Sequence, residues 1–141
     1  MDSNTILMSV QDKLPKNLGE QQLLRDRLDS LNEQQRNDFM VKIPSLGLKS
    51  PKFVFWVGSF LFGGFGVGRF MIGDKILGIA RLALCILMLV LYVLGLSLES
   101  LALLGIVNLL NLVIFGWWVA DLFLVGKKLR KQNLDKLLSV I

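Results

Sequence analysis

The sequence contains no histidine and a single cysteine, and both shortages narrow the chemistry that the chain can carry. Without histidine, the most frequent general base and a common zinc ligand are missing. Cys85 has no partner for a disulfide within the chain, and its position in an apolar run is typical of a small buried side chain. We therefore expect no disulfide framework, no metal site, no cofactor and no catalytic activity.

Charge is also scarce, and the scarcity is confined to one region. Met1 to Lys52 has eight basic and seven acidic residues. Phe53 to Gly126 has only six charged residues, which are Arg69, Asp74, Lys75, Arg81, Glu99 and Asp121. Hydrophobic residues make up 53% of the whole chain, above the roughly 45–50% of typical soluble domains. The sequence therefore predicts an all-α integral membrane protein with a small soluble N-terminal region.

Composition and proline positions divide the chain into three regions. Residues 1–50 have leucines, isoleucines and valines at helical spacing and end in a linker between Pro44 and Pro51, which predicts short amphipathic helices in the cytoplasm. We expect their apolar stripes to pack on each other or on neighbouring subunits, or alternatively to dock a partner or the lipid surface. Residues 51–126 form the predicted membrane domain, and residues 127–141 form a basic juxtamembrane tail.

Three apolar segments follow the linker. Residues 76–98 and 101–125 predict helices of about 34 and 37 Å, which can span a bilayer core of about 30 Å as a hairpin. Residues 53–67 are too few to span comfortably, so this segment is either re-entrant or a short span. The first residues lack the basic start and apolar core of a signal peptide, so we expect the internal segments to direct insertion.

The placement of charge predicts how the chain is oriented. Five basic residues and one acidic residue occupy residues 126–136, and four of them are expected at the lipid headgroups of the cytoplasmic side: Lys127, Lys128, Arg130 and Lys131. The turn between the two long helices carries only Glu99 and is predicted to face the opposite side. The expected location is a cell membrane, the inner membrane in a bacterium, with both termini in the cytoplasm.

The charges inside the membrane region need partners, because an ionised group at the bilayer centre costs about 2.5–3.5 kcal/mol even on insertion scales. Arg81 and Asp121 lie at similar depths in the two long helices, and Arg69 ends the glycine-rich segment. We predict that Asp121 accepts hydrogen bonds from one or both arginines. The alternative is that each charge extends separately to the headgroups.

Polar and small residues suggest helix contacts. Asn108 and Asn111 share a face of the last helix with Trp118, which predicts self-association or, alternatively, the lining of a pore. Ser59 and Gly63, and Gly64 and Gly68, have the spacing of small residues that let backbones pack closely, and Gly73 and Gly78 are also expected at helix contacts. A sharp turn is the other expected use of the glycines. These glycines do not form a phosphate loop, because no Gly-Lys-Ser/Thr follows them.

Two sequence stretches resemble a known family. FGGFGVGRFMIGDKILGIARL, residues 62–82, and GWWVADLFLVG, residues 116–126, are similar to the two-transmembrane (TM-two) domain family of small integral membrane proteins. The matching positions are Arg69, Phe70, Gly73, Gly78, Ile79, Trp117, Trp118, Asp121, Leu122 and Phe123. The resemblance implies a membrane location and a helical hairpin, without a defined molecular activity.

The expected function is non-catalytic. We expect a homo-oligomeric membrane scaffold or interaction module that recruits a cytoplasmic protein through residues 1–43. A small oligomeric channel with Asn108 and Asn111 towards its axis is the alternative. Nucleic acid is not an expected partner, because the basic cluster adjoins an apolar helix and has no interleaved aromatic residues.

Overall fold

The computed structural model describes residues 1–141 and is all-helical, with no β-strand, which confirms the predicted fold class at this level. A π-helix, Val54–Leu61, and three short 3-10 turns, Gln11–Lys13, Ile43–Leu46 and Gly63–Phe65, connect parts of the chain. The α-helices are α1 Ser3–Val10, α2 Leu18–Asp29, α3 Glu33–Lys42, α4 Pro51–Phe53, α5 Val67–Met71, α6 Lys75–Ser97 and α7 Leu101–Leu138.

The chain divides into two compact units. Unit 1 combines Met1–Lys52 with Lys127–Ile141, and unit 2 is Phe53–Gly126. Helix α7 contributes to both, because it continues without a break through Gly126 to Leu138. The sequence predicted a helix ending near residue 125 and a separate basic tail. The change from apolar to charged residues therefore marks a change of environment rather than the end of a helix.

Unit 1 has its own hydrophobic core, built from α1, α2, α3 and the last turns of α7. Side-chain caps define where two of these helices begin: Asn17 accepts from the backbone N–H of Gly19 at α2, and Asn32 forms a reciprocal capping box with Gln35 at α3. The buried cluster contains Ile6, Val10, Leu14, Leu24, Leu28, Phe39, Leu134 and Leu137. The apolar stripes of the first helices thus pack on each other and on the C-terminal part of the same chain.

Two polar side chains of α7 attach this C-terminal part to the N-terminal region. Nη1 of Arg130 donates to the carbonyl oxygens of Asp12 at 2.9 Å and Leu14 at 2.7 Å. Nδ2 of Asn133 donates to the carbonyl oxygens of Lys13 and Lys49, both at 3.0 Å. Nη1 of Arg130 is therefore engaged with backbone carbonyls, and contact of this residue with lipid headgroups stays a prediction. Lys127, Lys128 and Lys131 remain exposed.

In unit 2, α6 and α7 are both long and apolar enough to cross a membrane. Residues 98–100 join them, with Glu99 in the left-handed conformation at φ 52° and the backbone N–H of Ser100 bonded to the carbonyl of Gly95. Near this turn the two helices meet where Gly95 packs against Leu103 and Leu104. The sequence predicted a turn at residues 97–100, and in the structure α6 ends at Ser97 and α7 begins at Leu101.

The glycine-rich segment of unit 2 does not form one helix. Together, α4 and the π-helix cover 11 residues, at most about 16 Å, which is far below the thickness of a bilayer core. After Leu61 the chain turns through Gly63–Phe65 and through Gly66, whose φ of 77° favours glycine. Helix α5 then packs back against the π-helix, where Gly68 meets Gly58.

Candidate functional site: a buried ionic cluster in unit 2

Three segments of unit 2 meet at one carboxylate. Oδ1 of Asp121 accepts from Nη2 of Arg69 at 2.7 Å, and its Oδ2 accepts from Nη1 of Arg81 at 2.6 Å. Nη1 of Arg69 also donates to Oδ2 of Asp74 at 3.1 Å. These side chains are buried, with exposed fractions of 0% for Arg81, 3% for Asp121 and 7% for Arg69. We call these four residues the ionic cluster.

Each charge reaches the ionic cluster from a different element. Arg69 lies on α5, Arg81 on the second turn of α6, and Asp121 on α7. Asp74 immediately precedes α6, but its side chain makes no capping bond to that helix and binds Arg69 instead. The cluster therefore ties the glycine-rich segment to both long helices. Removing one partner of a buried ion pair typically costs about 3–5 kcal/mol.

The formal charges of the ionic cluster balance, with two guanidinium groups and two carboxylates. The cluster has more hydrogen-bond donors than acceptors. Nε and Nη2 of Arg81 and Nε of Arg69 are buried without a hydrogen-bond acceptor. The ring of Trp117 lies 5.1 Å from the guanidinium carbon of Arg81. This cation–π contact supplies part of the electrostatic stabilisation that the missing acceptors would give.

Small residues let the backbones around the ionic cluster approach closely. A Cβ on Gly58 would lie 2.9 Å from Cα of Gly68, and a Cβ on Gly68 would lie 2.7 Å from Oγ of Ser59. A Cβ on Gly63 would lie 2.7 Å from the ring of Trp118. Real Cβ atoms do not approach other atoms this closely. Larger side chains at Gly58 or Gly68 would therefore push α5 away from the π-helix, and one at Gly63 would push α7 away from the turn Gly63–Phe65.

Two contacts join this segment to α6. A Cβ on Gly66 would lie 2.8 Å from the carbonyl oxygen of Gly78. Gly78 in turn faces the ring of Phe70, which would lie 3.0 Å from an added Cβ. Phe70 therefore contributes by packing on α6 beside Arg69. The absence of a side chain at Gly78 is what allows this contact.

Two predicted packing glycines have other roles. A Cβ on Gly64 would meet nothing within 4 Å, and the carbonyl oxygen of Gly64 accepts from Sγ of Cys85 at 2.7 Å. Gly73 is also open, and its φ of 80° identifies it as a turn residue before α6. Neither glycine packs closely against another helix of this chain.

The polar face predicted on α7 separates into two parts. Asn108 and Asn111 are exposed in the structure and lie apart from the ionic cluster along the helix. Trp118 instead donates from Nε1 to the carbonyl oxygen of Ser59 at 2.8 Å. The polar atom of Trp118 is therefore used within unit 2, and the place of this residue in a face for self-association stays a prediction. Its ring also contacts Phe60 and Phe115.

Gly58, Gly66 and Asp74 were not singled out from the sequence as contributors to this site, and Trp117 was named only through the family resemblance. The contact of Asp74 could have been predicted from the sequence, because a carboxylate directly after a glycine turn can fold back towards a nearby arginine. Gly58 and Gly66 had no signal beyond glycine content, because their neighbours come from other segments. Trp117 and Trp118 are adjacent, and only the orientation of α7 determines which ring meets Arg81.

Comparisons with known proteins found no matching protein-family model, no similar curated protein and no similar solved structure. The functional interpretation therefore depends on the residues of this chain.

Proposed function

We propose that the chain is a multi-pass integral membrane protein in which α6 and α7 span the bilayer as a hairpin. The supporting observation is the distribution of polarity in unit 2. Large apolar side chains of the two helices are exposed, such as Ile76 at 82%, Leu101 at 85% and Leu112 at 68%. The charged side chains Arg69, Arg81 and Asp121 are buried. Lipid is the solvent that favours this arrangement.

The proposed orientation follows from charges outside the spans. Exposed Lys75 is the first residue of α6, and exposed Lys127, Lys128 and Lys131 follow the apolar part of α7. Glu99 is the only charge in the connecting turn. Basic residues favour the cytoplasmic side, so both chain termini are cytoplasmic in this proposal. The π-helix and α5 then form a re-entrant segment that enters from the same side.

The proposed activity is that of a scaffold or interaction module without catalysis. The four charged groups of the ionic cluster are engaged in hydrogen bonds that hold segments together, which supports a structural role for them. Unit 1 has an independent core and also exposes large apolar side chains, including Met8 at 73%, Leu18 at 79% and Val41 at 79%. Such side chains can contact a cytoplasmic protein, so residues 1–43 are the proposed docking region. The resemblance to the TM-two family is consistent with this proposal.

Self-association of the hairpin is part of the proposal. Asn108 and Asn111 are exposed within the apolar part of α7, and amide groups in hydrocarbon gain from hydrogen bonds with another helix by about 0.6–2 kcal/mol. A second copy of the chain supplies the same amides. Exposure of both asparagines also favours a second candidate function, a small pore in which these amides face a water-filled axis.

One set of experiments separates these functions. Resistance to alkaline extraction from membranes tests insertion, and cross-linking in native-like bilayers tests self-association. We expect Asn108→Leu combined with Asn111→Leu to weaken the oligomer. Val113→Ala, an exposed position on the opposite side of α7, is the matched control and should leave the oligomer intact. Ion flux in liposomes that disappears in the double variant would favour the pore, and extraction of the chain at alkaline pH would contradict insertion.

A further inference from the structure

Unit 2 is thicker at one end of its two long helices than at the other. At the end that contains the ionic cluster, the segment from the π-helix to α5 contacts both helices. Gly63 faces Trp118 of α7, whereas Gly66 faces Gly78 of α6. The carbonyl oxygen of Gly64 accepts from Cys85 of α6. A lateral section through this end therefore contains the two long helices and the re-entrant segment.

The end near the turn has no third segment. In residues 86–97 of α6 only Gly95 is buried, and it packs against Leu103 and Leu104 of α7. Leu89, Leu96 and Leu109 are 61%, 53% and 65% exposed. A lateral section through this end therefore contains only two helices, and lipid would cover the rest of their surfaces.

The change in thickness falls near the middle of a bilayer. Residues 75–85 of α6, which lie beside the re-entrant segment, rise about 16 Å, and residues 86–97 rise about 18 Å. A bilayer core is about 30 Å thick, so each part corresponds to about one leaflet. The re-entrant segment is thus confined to the leaflet that holds the ionic cluster.

Outward-facing side chains of the re-entrant segment add to the difference. Phe53, Leu61, Phe62 and Phe65 are 57%, 64%, 47% and 56% exposed. They displace acyl chains in one leaflet without an equal displacement in the other. Inserted apolar volume of this kind makes membrane binding sensitive to curvature.

On the basis of the proposed membrane insertion, we infer that unit 2 acts as a wedge that favours curved bilayers, with the leaflet of the ionic cluster on the convex side. The partner is the lipid bilayer itself. Molecules whose N-terminus lies outside a vesicle have the wide end in the outer leaflet. These molecules fit a small vesicle better than a large one, and molecules of the opposite orientation fit it less well.

The test uses the full chain with a fluorophore at its N-terminus. The protein is reconstituted into small and large vesicles of one neutral lipid composition, and protein density per lipid is measured on single vesicles. A membrane-impermeant reductant that bleaches the fluorophore reports the fraction with its N-terminus outside. We expect a severalfold higher density in small vesicles and an outward-facing fraction that increases with curvature.

Matched variants distinguish the wedge from general hydrophobicity. The apolar volume at the wide end is reduced by combining Leu61→Ala, Phe62→Ala and Phe65→Ala. The preference of this variant for small vesicles should decrease. Leu89→Ala, Leu96→Ala and Leu109→Ala remove apolar side chains from the narrow end and should not decrease it. Protein that resists alkaline extraction but has equal density in both vesicle sizes would overturn the wedge alone. Protein that is extracted would overturn membrane insertion, and the wedge with it.

Discussion

Replacing Asp121 with asparagine tests the ionic cluster directly. The amide retains the size and one acceptor oxygen but removes the negative charge, leaving two buried arginines with Asp74 as their only carboxylate. Because Asp121 is 3% exposed and binds Arg69 at 2.7 Å and Arg81 at 2.6 Å, the cost should approach that of breaking a buried pair, about 3–5 kcal/mol. This is a large part of a typical folding stability of about 5–15 kcal/mol.

Thermal unfolding in detergent, followed by the loss of monodisperse protein, measures the effect of Asp121→Asn. Asp74→Asn is a graded control, because Asp74 accepts from Arg69 at the longer distance of 3.1 Å, and its expected cost is about 1.5–3 kcal/mol. Glu99→Gln, at an exposed carboxylate in the turn, should change little. If Asp121→Asn were as stable as the unmodified chain, the three segments would not depend on this carboxylate, and the reasoning would be refuted.

Three further predictions concern packing in the two units. Gly58→Val should destabilise unit 2 by about 1–3 kcal/mol through overpacking, as measured by thermal unfolding. Gly64→Ala should not destabilise it, and equal effects of the two changes would contradict close packing at Gly58. Leu137→Ala should cost unit 1 about 2–5 kcal/mol, because this fully buried leucine completes its core; unchanged protease resistance of residues 1–52 would contradict this. Arg130→Ala should lower the stability of unit 1 without reducing binding to anionic vesicles. Reduced vesicle binding would instead show that Arg130 contacts lipid headgroups.

The two long helices were predictable because their signal is local. Apolar runs of this length have few alternatives, and Glu99 among small and polar residues marked the turn. Juxtaposition of Arg81 and Asp121 was also within reach, because each lies about five residues from the same end of the predicted hairpin, at residues 76 and 125. Depth in the membrane does not determine the direction in which each side chain points around its helix. The sequence therefore left open whether one arginine or both would reach Asp121.

The role of the C-terminal segment was harder to predict because its charges concealed its apolar pattern. Leu129, Asn133 and Leu137 recur every four residues and are buried on one side of α7. Exposed lysines accompany them, with Lys127 and Lys128 just before Leu129 and Lys131 between Leu129 and Asn133. Averaged over the segment, the composition indicates a basic tail. Read at helical spacing, it indicates an amphipathic helix that needs an apolar partner, which the helices of residues 1–52 supply.

The glycine-rich segment shows why close packing could be predicted while its partners could not. Spacing of small residues assumed a regular α-helix, in which Ser59 and Gly63 would share a face. Ser59 and Gly63 are both buried, but the segment is a π-helix with wider turns, and Gly58 is buried next to Ser59. Which glycine meets which backbone then depends on the turn at Gly66, a contact between segments that local spacing does not encode. Because Gly58 and Gly68 are both glycines, a bulky residue at either position should separate α5 from the π-helix and displace Arg69 from Asp121.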